Sequence, residues 1–176
     1  MVRSGDYCTA RENYAKAYTI DPDSAILLVN MGTLEIQKNE WENALHFFRK
    51  AVNIDPFFDK SWMGLALVHR EYGDHDLAWA NIEKCLDQNP SNDTALRVAL
   101  DWSFKDGRTS KIVNRLQDYL SKNGEDIEVS FLLAQIYFEL GQLKYAELEL
   151  SRVLVLDPMR VEAVELNYII QGTKKN

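Results

Sequence analysis

Apolar positions recur along this chain at three- and four-residue spacing, the signature of helices with one buried face, in blocks broken alternately by glycine and proline. Lys60-Ser61-Trp62-Met63-Gly64-Leu65-Ala66-Leu67-Val68 is one such block, with Asp59 placed to cap its N-terminus. The prolines set the period. Pro22, Pro56 and Pro90 stand 34 residues apart, Pro158 lies two periods further on, and Gly124 fills the slot between. Other columns keep this register. Twelve residues before each break stands Ala10, Ala44, Ala78, Ile112 or Ala146, and eight before it Tyr14, Phe48, Ile82, Leu116 or Leu150. Glycine recurs seventeen before the break at Gly5, Gly73, Gly107 and Gly141, with Asn39 in the remaining slot.

Each period therefore reads as helix A, a Gly-centred turn, helix B and a Pro-centred turn. The spacing predicts A helices near 24–37, 58–71, 92–105, 126–139 and 160–171, and B helices near 7–20, 41–54, 75–88, 109–122 and 143–156. Antiparallel helices approach to about 8–10 Å between axes when the crossing carries small side chains. Gly32, Ala66 and Ala134 fill that role on A helices, and Ala44, Ala78 and Ala146 on B helices.

Trp62…Leu65-Ala66, Tyr137…Gly141, Ala146, Leu150 and Pro158 resemble the tetratricopeptide consensus of Trp, Leu-Gly, Tyr, Ala, Phe and Pro. The resemblance spans residues 5–171. It implies an all-α, right-handed superhelical solenoid of antiparallel helix pairs, a single domain over 1–176: a half repeat at 5–22, repeats near 25–56, 59–90, 93–124 and 127–158, and a C-terminal capping helix at 160–171.

In that family the A helices line a concave face that holds peptides. Carried over by register, this implies a partner-binding groove of Ile26, Val29 and Thr33, then Lys60, Met63, Leu67 and Arg70, then Arg97, Asp101 and Phe104, then Phe131, Gln135 and Phe138. A contiguous apolar face of this kind marks an interaction site, with Phe131, Phe138, Met63 and Arg70 as preferred anchors. The Lys and Asn of the family's two-carboxylate clamp are missing from their columns, which read Val29/Thr33, Met63/Leu67, Arg97/Asp101 and Phe131/Gln135. The expected partner is therefore a protein or peptide with an apolar or amphipathic segment.

Two places depart from the pattern. Leu100 and Ile112 stand where neighbouring repeats have Gly or Ala. Either the crossing there is wider, or a one-residue slip puts Ala99 in the small slot. At the start, Gly5-Asp6-Tyr7 reads as the turn of a repeat that lacks its helix A. An array usually protects its ends, so the expectation is that upstream sequence, or a second copy forming a homo-oligomer, covers this end.

Composition narrows the partner class. Lys and Arg number 20 against 27 Asp and Glu, a net charge of −7. That balance opposes phosphate-backbone binding and speaks against the related pentatricopeptide mode of RNA recognition, so no nucleic-acid partner is expected. No stretch approaches a bilayer span, so no direct membrane insertion is expected either. The first residues carry no apolar signal region, and the expected localisation is cytoplasmic.

No phosphate loop, Ser-His-Asp arrangement or HExxH is present. His69 and His75 flank a turn without a second ligand pair. Cys8 and Cys85, two repeats apart, are too distant for a disulfide, and Cys85 reads as core. The reading is a non-enzymatic scaffold or adaptor with no cofactor and no metal, and the alternative is a self-assembling module or a repeat fragment of a larger protein.

Overall fold

In a computed structural model, residues 4–173 are described, and the side chains of residues 4–8 are not. Ten helices follow in order among the described residues: α1 (Ser4–Ile20), α2 (Ala25–Gln37), α3 (Trp41–Ile54), α4 (Asp59–Glu71), α5 (His75–Gln88), α6 (Asp93–Lys105), α7 (Thr109–Asn123), α8 (Ile127–Glu139), α9 (Leu143–Leu156) and α10 (Val161–Thr173). The starts of α4, α6, α8 and α10 keep the 34-residue register. This is the all-α helical-repeat class expected from the sequence.

The breaks have local causes. Gly73, Gly107 and Gly141, each between an A and a B helix, adopt left-handed backbone at φ 77°, 66° and 71°. Asn39 takes the same conformation at φ 61°, the one such non-glycine residue among those described. Asparagine tolerates this region better than most side chains, which is why it substitutes for glycine in the column. Ser24 caps α2 by accepting from the Leu27 amide, and Asp126 caps α8 through the Glu128 and Val129 amides at 3.0 and 3.1 Å.

Two local expectations need correction. Asp59 is not a cap but the first residue of α4, following Phe58. Its Oδ2 instead accepts from the side-chain amides of Asn89 and Asn92, both at 2.8 Å, and so ties the start of α4 to the turn after α5. The turn expected at Gly5-Asp6-Tyr7 is also absent, because α1 runs through those positions. The Tyr7 and Cys8 side chains lie outside the described set.

Packing divides the chain into two compact units, with the boundary between Ala95 and Leu96 inside α6. In the first unit Leu28, Val29, Ala44, Phe48, Ala51, Leu65 and Val68 form a buried cluster. Phe48, 1% exposed, is its hub. Its ring lies over Gly32 of α2 and Gly64 of α4, so closely that a Cβ on Gly32 would sit 2.8 Å from the ring and one on Gly64 would overlap it. The register reading had named Gly32 but not Gly64.

The second unit buries Leu116, Leu133, Ala134, Ile136, Ala146, Leu150 and Val153 around α8 and α9, with Ala163 and Ile170 of α10 also buried. Ala99 is 1% exposed whereas Leu100 is half-buried. Ala95 and Ser103 of α6 are fully buried too, Ala99 shares its column with the buried Leu65 and Leu133, and the helix starts in register.

Gly64→Ala adds a methyl where the Phe48 ring already stands. Overpacking of about 1–3 kcal/mol is expected to outweigh the helix-propensity gain of about 1 kcal/mol, giving a net destabilisation. In a Phe48→Val background the ring is gone, so the same substitution should become neutral or stabilising. Urea denaturation of the four proteins in this cycle checks the sign reversal.

Candidate functional site

The structure distributes the thirteen groove residues unevenly. In the first unit, α2 and α4 lie side by side. Ile26 is 63% exposed, Met63 and Leu67 are half-buried, and Lys60 is exposed. Together they make a mixed apolar and cationic face. Thr33 is exposed, but its hydroxyl donates to the Val29 carbonyl of its own helix at 2.8 Å. Arg70 is half-buried and donates from Nη1 to Nδ1 of His75, across the α4–α5 turn. Val29 is 6% exposed and belongs to the core cluster. It therefore supports the face from below instead of forming part of it.

In the second unit Arg97, Asp101 and Gln135 are exposed, Phe104 is 44% exposed and Phe138 is half-buried. Asp101 accepts from Lys105 one turn later on the same helix, at 2.7 Å. Phe131 departs from expectation: it is only 8% exposed. The Arg160 guanidinium sits 4.6 Å from its ring centroid and covers it. Arg160 also donates from Nη1 and Nη2 to the two carboxylate oxygens of Glu128, at 2.6 and 2.8 Å. Planar, bidentate pairing of this kind is the strong form of the interaction. Phe131 is therefore a shielded residue and not an open anchor. Sequence reasoning missed Arg160 because it opens the expected capping helix at 160–171, ahead of the groove columns, close to one period beyond Glu128.

Neither histidine at the α4–α5 turn gathers a ligand set. Among the described residues no group of three or more His, Cys, Asp or Glu is placed to hold a metal ion. Burial pushes the His69 pKa down, against the opposing pull of Asp74. Burial likewise pushes the Cys85 thiol up to about 12, which leaves it a core residue and a poor nucleophile. No described helix is long and apolar enough to cross a membrane.

Paired antiparallel helices on a fixed period and left-handed A-to-B turns define a helical-repeat protein. A family model for the tetratricopeptide repeat matches residues 25–58 and 59–92. The chain carries tetratricopeptide repeats, a fold whose members are typically non-enzymatic scaffolds that mediate protein–protein interaction.

Among curated proteins the chain is 30% identical over 139 residues to the protein CTR9 homolog of Arabidopsis thaliana, covering 76% of this chain. It spans only 13% of that relative's length. Among solved structures it resembles YrrB, a tetratricopeptide-repeat protein with an unusual peptide-binding site. That match has a TM-score of 0.68 and 23% identity, covering 93% of this chain and 84% of YrrB. The complex of Naa15/Naa10 bound to HypK-THB matches with a TM-score of 0.79 and 16% identity, over 97% of this chain and 27% of that one. At these identities the structural likenesses establish the fold.

The hydrogen bonds from Arg160 hold the Glu128 carboxyl below the usual carboxylate range, and the direct charge attraction acts the same way. A carboxylate with a depressed folded pKa stabilises above its unfolded value and loses that contribution as pH falls through the folded one. Wild type should therefore exceed Glu128→Gln in stability near neutrality, by a modest margin because the carboxylate is exposed. The difference should vanish below the carboxylate range. Thermal melts of both proteins across that range check this.

Proposed function

We propose that this chain is a protein-interaction scaffold or adaptor that holds an apolar or amphipathic segment of a partner protein on its A-helix faces. The observation that carries the reading is the apolar surface each unit leaves open on its A helices: Ile26, Met63 and Leu67 on α2 and α4 of the first, and Phe104 and Phe138 on α6 and α8 of the second. Bulky apolar side chains in such positions cost solvation unless a partner covers them. Lys60, Arg70, Arg97 and Gln135 stand in the same columns and offer a polar rim that fixes register. The fold shared with YrrB, which has a peptide-binding site, supports a peptide-type ligand. The likeness to a short part of a much longer relative supports a second reading, in which these repeats are a segment of a larger protein.

Photo-crosslinking residues placed singly at Ile26, Lys60, Phe104 and Gln135 should give adducts with the same partner. The exposed B-helix positions Arg49 and Lys84 should give none. The double variant Ile26→Asp/Phe104→Asp alters exposed side chains and should keep wild-type helicity and melting. It should weaken capture of that partner by roughly tenfold or more, the usual effect of losing an interface anchor. Adducts confined to the B-helix positions would overturn the proposal.

A further inference from the structure

The second unit contains a crevice on a different side of α8. Between α7 and α9, floored by Ser130, Leu133 and Tyr137 of α8, lies a cavity of about 530 Å³. A neighbouring cavity of about 390 Å³ shares Gln117, Tyr137 and Tyr145 with it, so the opening runs along the α7–α9 seam. At 100° per residue, the mean direction of the floor residues lies about 130° from that of Phe131, Gln135 and Phe138. The volume falls within the range of about 300–1,000 Å³ typical of built ligand sites.

The walls are apolar with a net acidic edge. Leu120, Leu133 and Leu148 supply apolar surface, and Leu148 is 51% exposed. Tyr145 stacks on the buried Tyr137 at 5.2 Å between centroids and leaves much of its own ring open. Two carboxylates, Glu149 and Glu125, and one cation, Arg152, are the charged groups of the lining. Glu149, 4% exposed, is a buried carboxylate lining the cavity. Both its oxygens accept from a single nitrogen, Arg152 Nη1, at 2.9 and 3.1 Å. A carboxylate has about four acceptor positions, so much of this one's capacity is unspent. Glu125 adds a second carboxylate at the mouth.

The equivalent seam three repeats earlier, between α1 and α3, shows what a satisfied version looks like. There a cavity of about 300 Å³ is lined by Glu35, Asn43 and Phe47, which occupy the columns of Tyr137, Tyr145 and Glu149. The buried Glu35 carboxylate meets two cations from the chain itself, Lys38 at 2.8 Å and Arg11 at 4.0 Å. In the α7–α9 seam the buried carboxylate meets one.

We propose that the α7–α9 crevice is a second docking site, for a partner peptide that carries an arginine or lysine beside an aliphatic residue. The cationic head bonds Glu149 and Glu125, its stem lies across Tyr145, and the aliphatic neighbour fills the pocket between Leu120 and Leu148. Burial of a charge is favourable only when it is paired, and the incoming cation supplies the second partner that Glu149 lacks. The net charge of −7 favours the encounter with a basic segment.

The probes are two end-blocked peptides, one alternating leucine with arginine and one alternating leucine with glutamate, titrated into the ¹⁵N-labelled full chain. The arginine peptide should shift amides of α7 and α9 saturably, more weakly at high salt, and the glutamate peptide should not. Leu148→Ser/Glu125→Lys alters only exposed side chains and should weaken the arginine peptide by roughly tenfold. Ile26→Asp/Phe104→Asp should leave its affinity unchanged, which separates this site from the A-helix faces. The proposal fails if both peptides bind alike, if no saturable shift occurs, or if the shifts map to α2, α4 and the Phe138 side of α8.

Discussion

The packing of the first unit turns on one complementary contact, a phenylalanine ring set against two glycines. Phe48 projects from α3 onto α2 and α4 together, and both are glycine where the ring meets them. Glycine inside a helix costs about 1 kcal/mol relative to alanine. Here that cost allows an aromatic ring to be fully buried at a three-helix junction, worth several kcal/mol by the usual effect of truncating such a residue. Ala44 and Ala51, on the same helix and fully buried, keep the backbones close on either side. The exposed A-helix positions inherit their spacing from this junction, because Ile26 and Met63 sit on the two helices that the ring holds together.

The second unit solves the same problem with different residues. Ala134 and Ala146 are fully buried at the crossing of α8 and α9, and Leu150 stands in the column of Phe48. A branched aliphatic chain fills less width than a ring, and alanine suffices where the first unit needs glycine. α6 and α7 carry the larger Leu100 and Ile112 in the small columns, and α6 buries Ala95, Ala99 and Ser103. The repeat keeps its length and its turns while varying which side chain performs the close approach.

Much of this architecture was legible in the sequence because its punctuation is enforced by backbone chemistry. A left-handed residue must close each A-to-B turn, so Gly73, Gly107, Gly141 and Asn39 announce the helices on either side. The N-terminal exception is instructive: Gly5 stands in the same column yet lies within α1, since glycine permits a turn without requiring one. The site was legible only in part. Periodicity places Val29 and Phe131 in the outward columns, but whether such a side chain is open depends on what neighbouring elements lay over it. For Phe131 that element is Arg160, which stands just before α10 and ahead of the groove columns. The α7–α9 crevice was invisible for a related reason. It arises from the spacing between helices and from the pairing of Glu149, neither of which a linear pattern encodes.

Arg160 also bears on how such arrays are read. It precedes α10 yet stacks on Phe131 and grips Glu128, both in the helix one period earlier. The outward face of α8 is therefore finished by the segment that follows it. Moving this repeat to another place in a series, or recombining it with a different neighbour, would strip the cover from Phe131 and free the Glu128 carboxylate. Recognition surfaces in a chain of this kind belong to junctions between successive units, and a repeat catalogued alone would carry the wrong address.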